Sequence, residues 1–360
     1  PVQAAPLLEV RNHTPYPSQY FQMMDVGDEV FHVIVSRITY DLTRLDEQGA
    51  PPLAAVQAPL ADADEFYGDP TTSSCIQESD FAPYKPKCDI LLAHAVAYAP
   101  EGRAHRRWPV GIRIGDWQKM LAVTGARYID RGLLGWKVTE AQKATQVPLR
   151  WELAYGGTCQ WPRHLKEDEE PEIFKAFEAT PLGKGWTDKA WLKKAQVADV
   201  DAPRIEVFEQ PFGTEDANAM RYEPVGVGPV GKWWTPRRQK AGTYDQAWKE
   251  SRWPRLPLDF DFGYWNAAPE DQQIDYPQGG EELVLAGLTP GQQVWRCKLP
   301  EPAIHAVLRM QIGPIVRLPM RLDTLVLDFK AGTLSCVYRI HVAAQFGPRV
   351  LEIRSGRAPI

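Results

Sequence analysis

The chain has 360 residues, 44% hydrophobic and 24% charged, and its 41 Lys and Arg against 46 Asp and Glu leave a net charge of −5. That balance provides no global attraction to nucleic acid or anionic membranes, and no apolar run approaches the roughly 18 residues of a membrane helix. Thirty-two prolines, nearly twice the usual share of roughly 5%, exclude long uninterrupted helices over most of the sequence.

From Glu29 the text "EVFHVIVSRITYDL" sets Val30, His32, Ile34, Ser36, Ile38 and Tyr40 against Phe31, Val33, Val35, Arg37, Thr39 and Asp41. Its β-branched content and period of two predict a mostly buried strand, closed by the turn "DEQGAPP". "CDILLAHAVAYAP" (88–100) and "WPVGIRIGDWQKMLAVTGARYI" (108–129) predict further short strands parted by "PEGR" and "GDWQ". Glycine turns at that spacing point to antiparallel β structure rather than βαβ units. From about 161 to 203 an acidic run precedes two predicted short helices, the second capped by Thr187, in what reads as a solvated insertion. Residues 204–280 are rich in Pro, Gly and aromatics without periodicity, the composition of an ordered loop layer. Strands return in "EELVLAGLTPGQQVWRCKLP", "AIHAVLRMQI", "DTLVLDFKAGTLSCVYRIHVAAQ" and "RVLEIR", with turns at "TPGQ" and "KAGT". The expected fold is mainly β. Two antiparallel β-rich parts, 1–160 and 281–360, sandwich- or barrel-like, are joined by the irregular middle and its short helical insertion, as separate regions or as one continuous domain.

Five cysteines (Cys75, Cys88, Cys159, Cys297, Cys336) are odd in number, scattered and without a CxxC pair, against a disulfide framework or zinc knuckle. The opening "PVQAAPLLEVRN" shows no basic segment followed by an apolar core, so a cytoplasmic location is expected. There is no GxxxxGK[ST], and Gly226, Gly228 and Gly231 match GxGxxG without a clean preceding strand and with Pro229 interrupting, so they read as a Gly–Pro turn. The seven histidines form no HxH, HxxxH or HExxH. Ser73, Ser74 and Cys75 lack the glycine elbow of a hydrolase nucleophile. No cofactor, metal or catalytic residue is therefore assigned.

One stretch invites chemistry: "WPRLPLDFDFGYWNAAPEDQQ", residues 253–273. Were "LDFDF" extended, Asp259 and Asp261 would share a face about 7 Å apart, a spacing at which two carboxylates can work on a glycosidic or peptide bond. The competing reading has these side chains bond backbone N–H groups or nearby arginines and lock a proline-rich loop.

"YGDPTTSSCIQESDFAPYKPKCDILLAHAVAYAPEGR", "PLRWELAYGG", "GVGPVGKWWTPRRQKAGTYDQAWKESRWPRLPLDFDFGYWNAAPEDQQ" and "GGEELVLAGLTP" resemble successive signature blocks of one bacterial domain-of-unknown-function family. Its members are typically encoded beside type VI secretion genes, next to spike (VgrG or PAAR) and toxin genes, and some are fused to pentapeptide repeats. The resemblance runs from about Leu8 to Arg354, and only the segment from about 163 to 200 matches no block. It implies a cytoplasmic adaptor or chaperone that loads an effector toxin onto the VgrG/PAAR spike, and it transfers no catalytic residue. In that role prolines fix the backbone before binding and large rings lose little rotamer entropy, so the middle region would form a preorganised contact surface. Trp233, Trp234, Trp253, Tyr264 and Trp265 would be its anchors. Arg237 and Arg238 would be forks for carboxylates, with Asp259 and Asp261 beside them. A hydrolase using Asp259 and Asp261, or a structural component of the secretion apparatus, are the alternatives.

Overall fold

A computed structural model describes residues 8–132, 135–160, 173–188, 190–191, 199–213 and 222–356. The expected β character holds. The first part of the chain supplies β1 (Glu9–Asn12), β2 (Ser18–Met24), β3 (Val30–Asp41), β4 (Cys88–Ala93), β5 (Arg107–Ile114) and β6 (Trp117–Thr124). The middle contributes β7 (Ile205–Val207), two short helices, α1 (Thr235–Arg238) and α2 (Gln246–Ser251), and β8 (Gln273–Ile274). The last part adds β9 (Glu282–Thr289), β10 (Gln292–Lys298), β11 (Ile304–Met310) and β12 (Ile315–Pro319). It closes with β13 (Arg321–Asp328), β14 (Thr333–Ala343) and β15 (Pro348–Ser355).

These strands form a six-stranded sheet β8-β4-β13-β14-β3-β2, a five-stranded sheet β7-β6-β5-β9-β10 and a four-stranded sheet β1-β15-β11-β12, none closed into a barrel. Each sheet draws strands from both ends of the chain, so the two β-rich parts interleave. Pairing is antiparallel as expected at the turns read from sequence. Ile114 faces Trp117 across "GDWQ", Thr289 faces Gln292 across "TPGQ" and Asp328 faces Thr333 across "KAGT". Within these three sheets two ladders are parallel, β4 with β13 and β1 with β15.

Strand alternation sorts the six-stranded sheet into two unlike faces. Ile34, Ile38, Ile90, Leu92, Leu325, Leu327, Leu334 and Cys336 point into the main core, where Ile112, Leu121, Leu283 and Leu285 of the five-stranded sheet meet them. The opposite face carries Arg37, Asp89, Thr324 and Arg339, all buried. Charges out of water persist only when paired and hydrogen-bonded, and the partners come from β13 and from the loops that cover this face. Arg37 Nη1 donates to Asp80 Oδ2 at 3.0 Å, and Arg339 donates to Asp323 Oδ2 at 2.6 Å and to the Asp80 carbonyl at 2.9 Å. Lys85 Nζ lies 2.8 Å from both Asp89 Oδ2 and Thr324 Oγ1. Asp89 also accepts from Asn266 Nδ2 and from the Ala267 and Ala268 amides. The loop layer is thus fastened to the sheet by side chains of β4, with Ala267 and Ala268 packed on Leu91, Ala93 and Val326.

A smaller core of Ile129, Tyr155, Cys159, Trp186, Trp191, Phe212 and Tyr222 holds the described part of the insertion. Ile173–Ala176, within the segment expected to hold two short helices, is instead a strand paired with Thr158–Gln160, its ladder hydrogen bonds outweighing local propensity. Asp188, not Thr187, takes the capping role, its Oδ1 accepting from the Ala190 and Trp191 amides at 2.9 and 3.0 Å. The acidic run and the body of the second helix lie outside the described residues. The five cysteines are free and buried, and no helix among the described residues is long and apolar enough to cross a membrane.

One buried carboxylate in the four-stranded sheet carries a pH signature. Glu352 accepts from Arg309 Nε at 2.7 Å and from Arg354 Nε at 2.8 Å, and these bonds hold its carboxyl at about 2 against an ordinary 4.5. A depressed folded-state pKa gives stability that is present above the unfolded value and is lost as pH falls from about 4.5 to about 2. Glu352→Gln is expected to be less stable than the parent at neutral pH and to lose less on acidification through that window. Urea midpoints measured along the descent check this.

Candidate protein-docking face

The glycines of "GVGPVG" serve ring packing, not phosphate binding. A Cβ on Gly226 would lie 2.8 Å from the Trp151 indole, and one on Gly231 would lie 2.6 Å from Trp234 Nε1. Trp151 and Trp234 meet edge to face at 5.4 Å over Ala154 and Val230. Trp234, expected as a surface anchor, is therefore interior, 1% exposed, while its neighbour Trp233 is 49% exposed.

Arg237 is a second correction. Proline opens α1 and the helix turns this guanidinium inward, where all five of its N–H groups are engaged. Nε and Nη2 donate to the Tyr264 carbonyl at 3.0 and 2.7 Å, Nη1 to the Val230 carbonyl at 2.8 Å, and Nη1 and Nη2 grip the Glu78 carboxylate. Such a fork staples three loops together and has nothing left for a partner's carboxylate. Arg238 points outward and pairs with the equally exposed Glu178 at 2.6 Å. Tyr264 and Trp265 are half-buried and brace Phe260, with ring centroids 5.7 and 6.5 Å away.

Asp259 and Asp261 do not form an acid pair on one strand face, since Pro257–Phe260 is a turn. Asp259 accepts from the Thr243 amide at 3.0 Å and from Thr243 Oγ1 at 2.7 Å, closing the 243–259 loop, and these bonds pull its carboxyl below the ordinary range. Asp261 caps a single helical turn, Phe262–Trp265, by accepting from the Gly263 amide at 2.8 Å. Both carboxylates thus do what the loop-locking reading expects. Asp259→Asn should speed hydrogen exchange at the Thr243 amide while leaving the global unfolding midpoint in place.

Inside the loop that Asp259 closes sits α2. Asp245 caps it by accepting from the Trp248 amide at 2.8 Å. Trp248 donates its indole N–H to the Arg255 carbonyl at 2.9 Å and stands edge to face on Tyr244 at 4.7 Å. The outcome is an exposed apolar ridge: Tyr244 is 52%, Trp253 66% and Leu258 71% exposed. Beside Leu258 runs a shallow groove of about 180 Å³ lined also by Ala247, Trp248 and Pro257. Contiguous exposed apolar surface on a folded chain marks a place where another surface sits.

The ridge is held from below. Asp28, at the tip of the β2–β3 hairpin with φ 66°, accepts from Arg252 Nη2 at 2.8 Å and Arg255 Nη1 at 2.9 Å, and Arg252 also reaches the Val26 and Leu256 carbonyls. Large rings on a backbone fixed by proline, caps and a two-arginine clamp are the elements of a preorganised contact. Among the described residues no cluster of three or more His, Cys, Asp or Glu is arranged to hold a metal.

A family model described as "Uncharacterized protein conserved in bacteria (DUF2169)" matches residues 27–339. The chain belongs to that family. Comparisons with curated proteins and with solved structures give no match. The matched span opens at the hairpin tip that carries Asp28 and ends at Arg339, so the family's sequence covers the ridge, its clamp and the charged sheet face beneath it.

Of the residues expected at a contact surface, Trp253 and Asp259 belong to this ridge, Trp233 and Arg238 are exposed elsewhere in the layer, and Asp261 caps a neighbouring turn. Tyr244, Trp248, Leu258 and the Asp28 clamp were missed. The Asp245 cap before "QAWKES" was the available signal, since it turns a featureless loop into a helix with a defined outer side.

Proposed function

We propose that this protein is a type VI secretion adaptor or chaperone that binds an effector toxin in the cytoplasm and promotes its loading onto the VgrG/PAAR spike. The observation that carries the reading is the ridge of Tyr244, Trp253 and Leu258, exposed on a segment clamped by Asp28 through Arg252 and Arg255. Holding a protein needs such a surface and no nucleotide, metal or nucleophile. The secretion context comes from the family's resemblance in sequence. The competing hydrolase reading is weakened by the engagement of Asp259 with Thr243 and of Asp261 with Gly263.

Co-expression with the toxin encoded beside its gene should give a stoichiometric complex and raise the toxin's solubility. Absence of association between the purified proteins at micromolar concentration would sink the proposal. Turnover of a glycan or peptide that disappears in the folded Asp259→Asn/Asp261→Asn variant would replace it with the hydrolase.

A further inference from the structure

The five-stranded sheet ends on β10, whose outer edge is open. In an antiparallel ladder each residue turns its N–H and C=O to the same side. The Leu299 amide bonds the Glu281 carbonyl, toward β9, whereas the Lys298 amide bonds the Gly49 carbonyl on the outer side. Val294 and Arg296, in step with Lys298, therefore present their backbone groups outward, and among the described residues nothing takes them. The Gly49 loop already makes the first rung of an added strand at Lys298 and stops there. Natural edges are protected by Pro, charged side chains, bulges or a covering element. β12, the edge of the four-stranded sheet, ends in Pro319, but β10 contains no proline along "QQVWRCK".

The sheet surface beside this edge is shaped in two rows. Met120, Gly111, Ala286 and Val294 stand opposite one another across β6, β5, β9 and β10 and so share a face. Gly111 and Ala286 are small, so a trough lies between Met120 and Val294, which are 40% and 46% exposed. A Cβ on Gly111 would come within 2.3 Å of the Met120 sulfur, so glycine is what lets Met120 lie over the strand. With Tyr98, Pro109 and Gln146 the trough forms a cavity of about 650 Å³. The next rows hold Arg113, Arg296 and Lys298 around one carboxylate, Glu282, which accepts from Arg113 and, at 3.2 Å, from Arg296. Three cations on one anion leave this end of the edge basic.

We propose that β10 takes up an extended segment of a protein partner by strand addition, with an apolar side chain of that segment in the Met120–Val294 trough and an acidic one, two residues along, opposite Arg296 and Lys298. Outward backbone groups would supply the hydrogen bonds, and the alternating apolar and basic rows would select the sequence. This surface is separate from the Tyr244–Trp253 ridge and does not rest on the adaptor reading. If that reading holds, a loading protein gains the second contact it needs to hold cargo and carrier together.

The test uses the purified chain and a displayed library of random dodecapeptides. Enriched peptides should carry an apolar residue two positions from an Asp or Glu and bind with micromolar Kd. Synthetic copies should slow hydrogen exchange at the Val294 and Arg296 amides at least tenfold. Val294→Pro deletes an N–H that the fold does not use, and should weaken these peptides at least tenfold. Should that variant fold poorly, Arg296→Glu is the companion and should weaken acidic peptides to a similar degree. The proposal falls if no peptide is enriched, or if peptides bind without protecting those amides. It falls equally if the chain itself dimerises through this edge. No toxin enters this experiment, so its failure and the failure of the adaptor reading are separate outcomes.

Discussion

Replacing Asp89 by Ala is expected to destabilise the fold by about 3–5 kcal/mol, the range found when one member of a buried ion pair is removed. Asp89 sits at 0% exposure in β4 and serves four donors at once: the Lys85 ammonium, the Asn266 amide and the backbone N–H groups of Ala267 and Ala268. Its loss leaves a cation buried 2.8 Å from Thr324 with no counter-charge, and two backbone donors without acceptors. Urea unfolding gives the magnitude, and a shift below about 1 kcal/mol would contradict the role assigned to this side chain. Asp89→Ala combined with Lys85→Met should recover part of the loss, because the uncompensated charge goes with it. The single variant should also speed hydrogen exchange across 266–268, since these bonds fasten the loop layer to the sheet.

The second large effect concerns binding. Tyr244→Ala/Trp253→Ala/Leu258→Ala should reduce affinity for a toxin partner at least a hundredfold and leave the unfolding midpoint nearly unchanged. Anchors of this type each contribute about 2 kcal/mol or more when desolvated, and their effects are not additive. The fold should tolerate the change because all three are exposed, at 52%, 66% and 71%. Asp28→Ala separates contact from rigidity. It keeps every ridge side chain but removes the acceptor that Arg252 and Arg255 share. Affinity should then fall about tenfold, through faster dissociation, as expected when preorganisation alone is lost. Calorimetric titration of the toxin into each variant measures both, and unchanged affinity in the triple variant would remove the ridge as the docking face.

Neighbouring residues in the middle region show where reading the chain succeeds and where it stops. Composition reads 204–280 as an ordered, ring-rich layer. Yet Trp233 and Trp234 are identical in type and adjacent in sequence, and one is exposed while the other is core. What separates them is Trp151 and the two glycines that let the indoles approach, a relation invisible to any local pattern. Arg237 and Arg238 divide in the same way, because the inner one meets Glu78 from 159 residues away. Asp259 and Asp261 would share a face only on a strand, and the Thr243 bonds that hold the turn come from across the loop.

By itself the sequence determined the mainly β character, the buried strand Val30–Asp41 and the hairpin turns at "GDWQ", "TPGQ" and "KAGT", because strand period and turn chemistry are set by residues a few positions apart. Only the tertiary structure decided that strands from both ends share each sheet, which rings and arginines turn inward, and which edge stays open. Those outcomes depend on which distant surfaces meet, and a side chain's burial or pairing is a property of the meeting rather than of its neighbours in the chain.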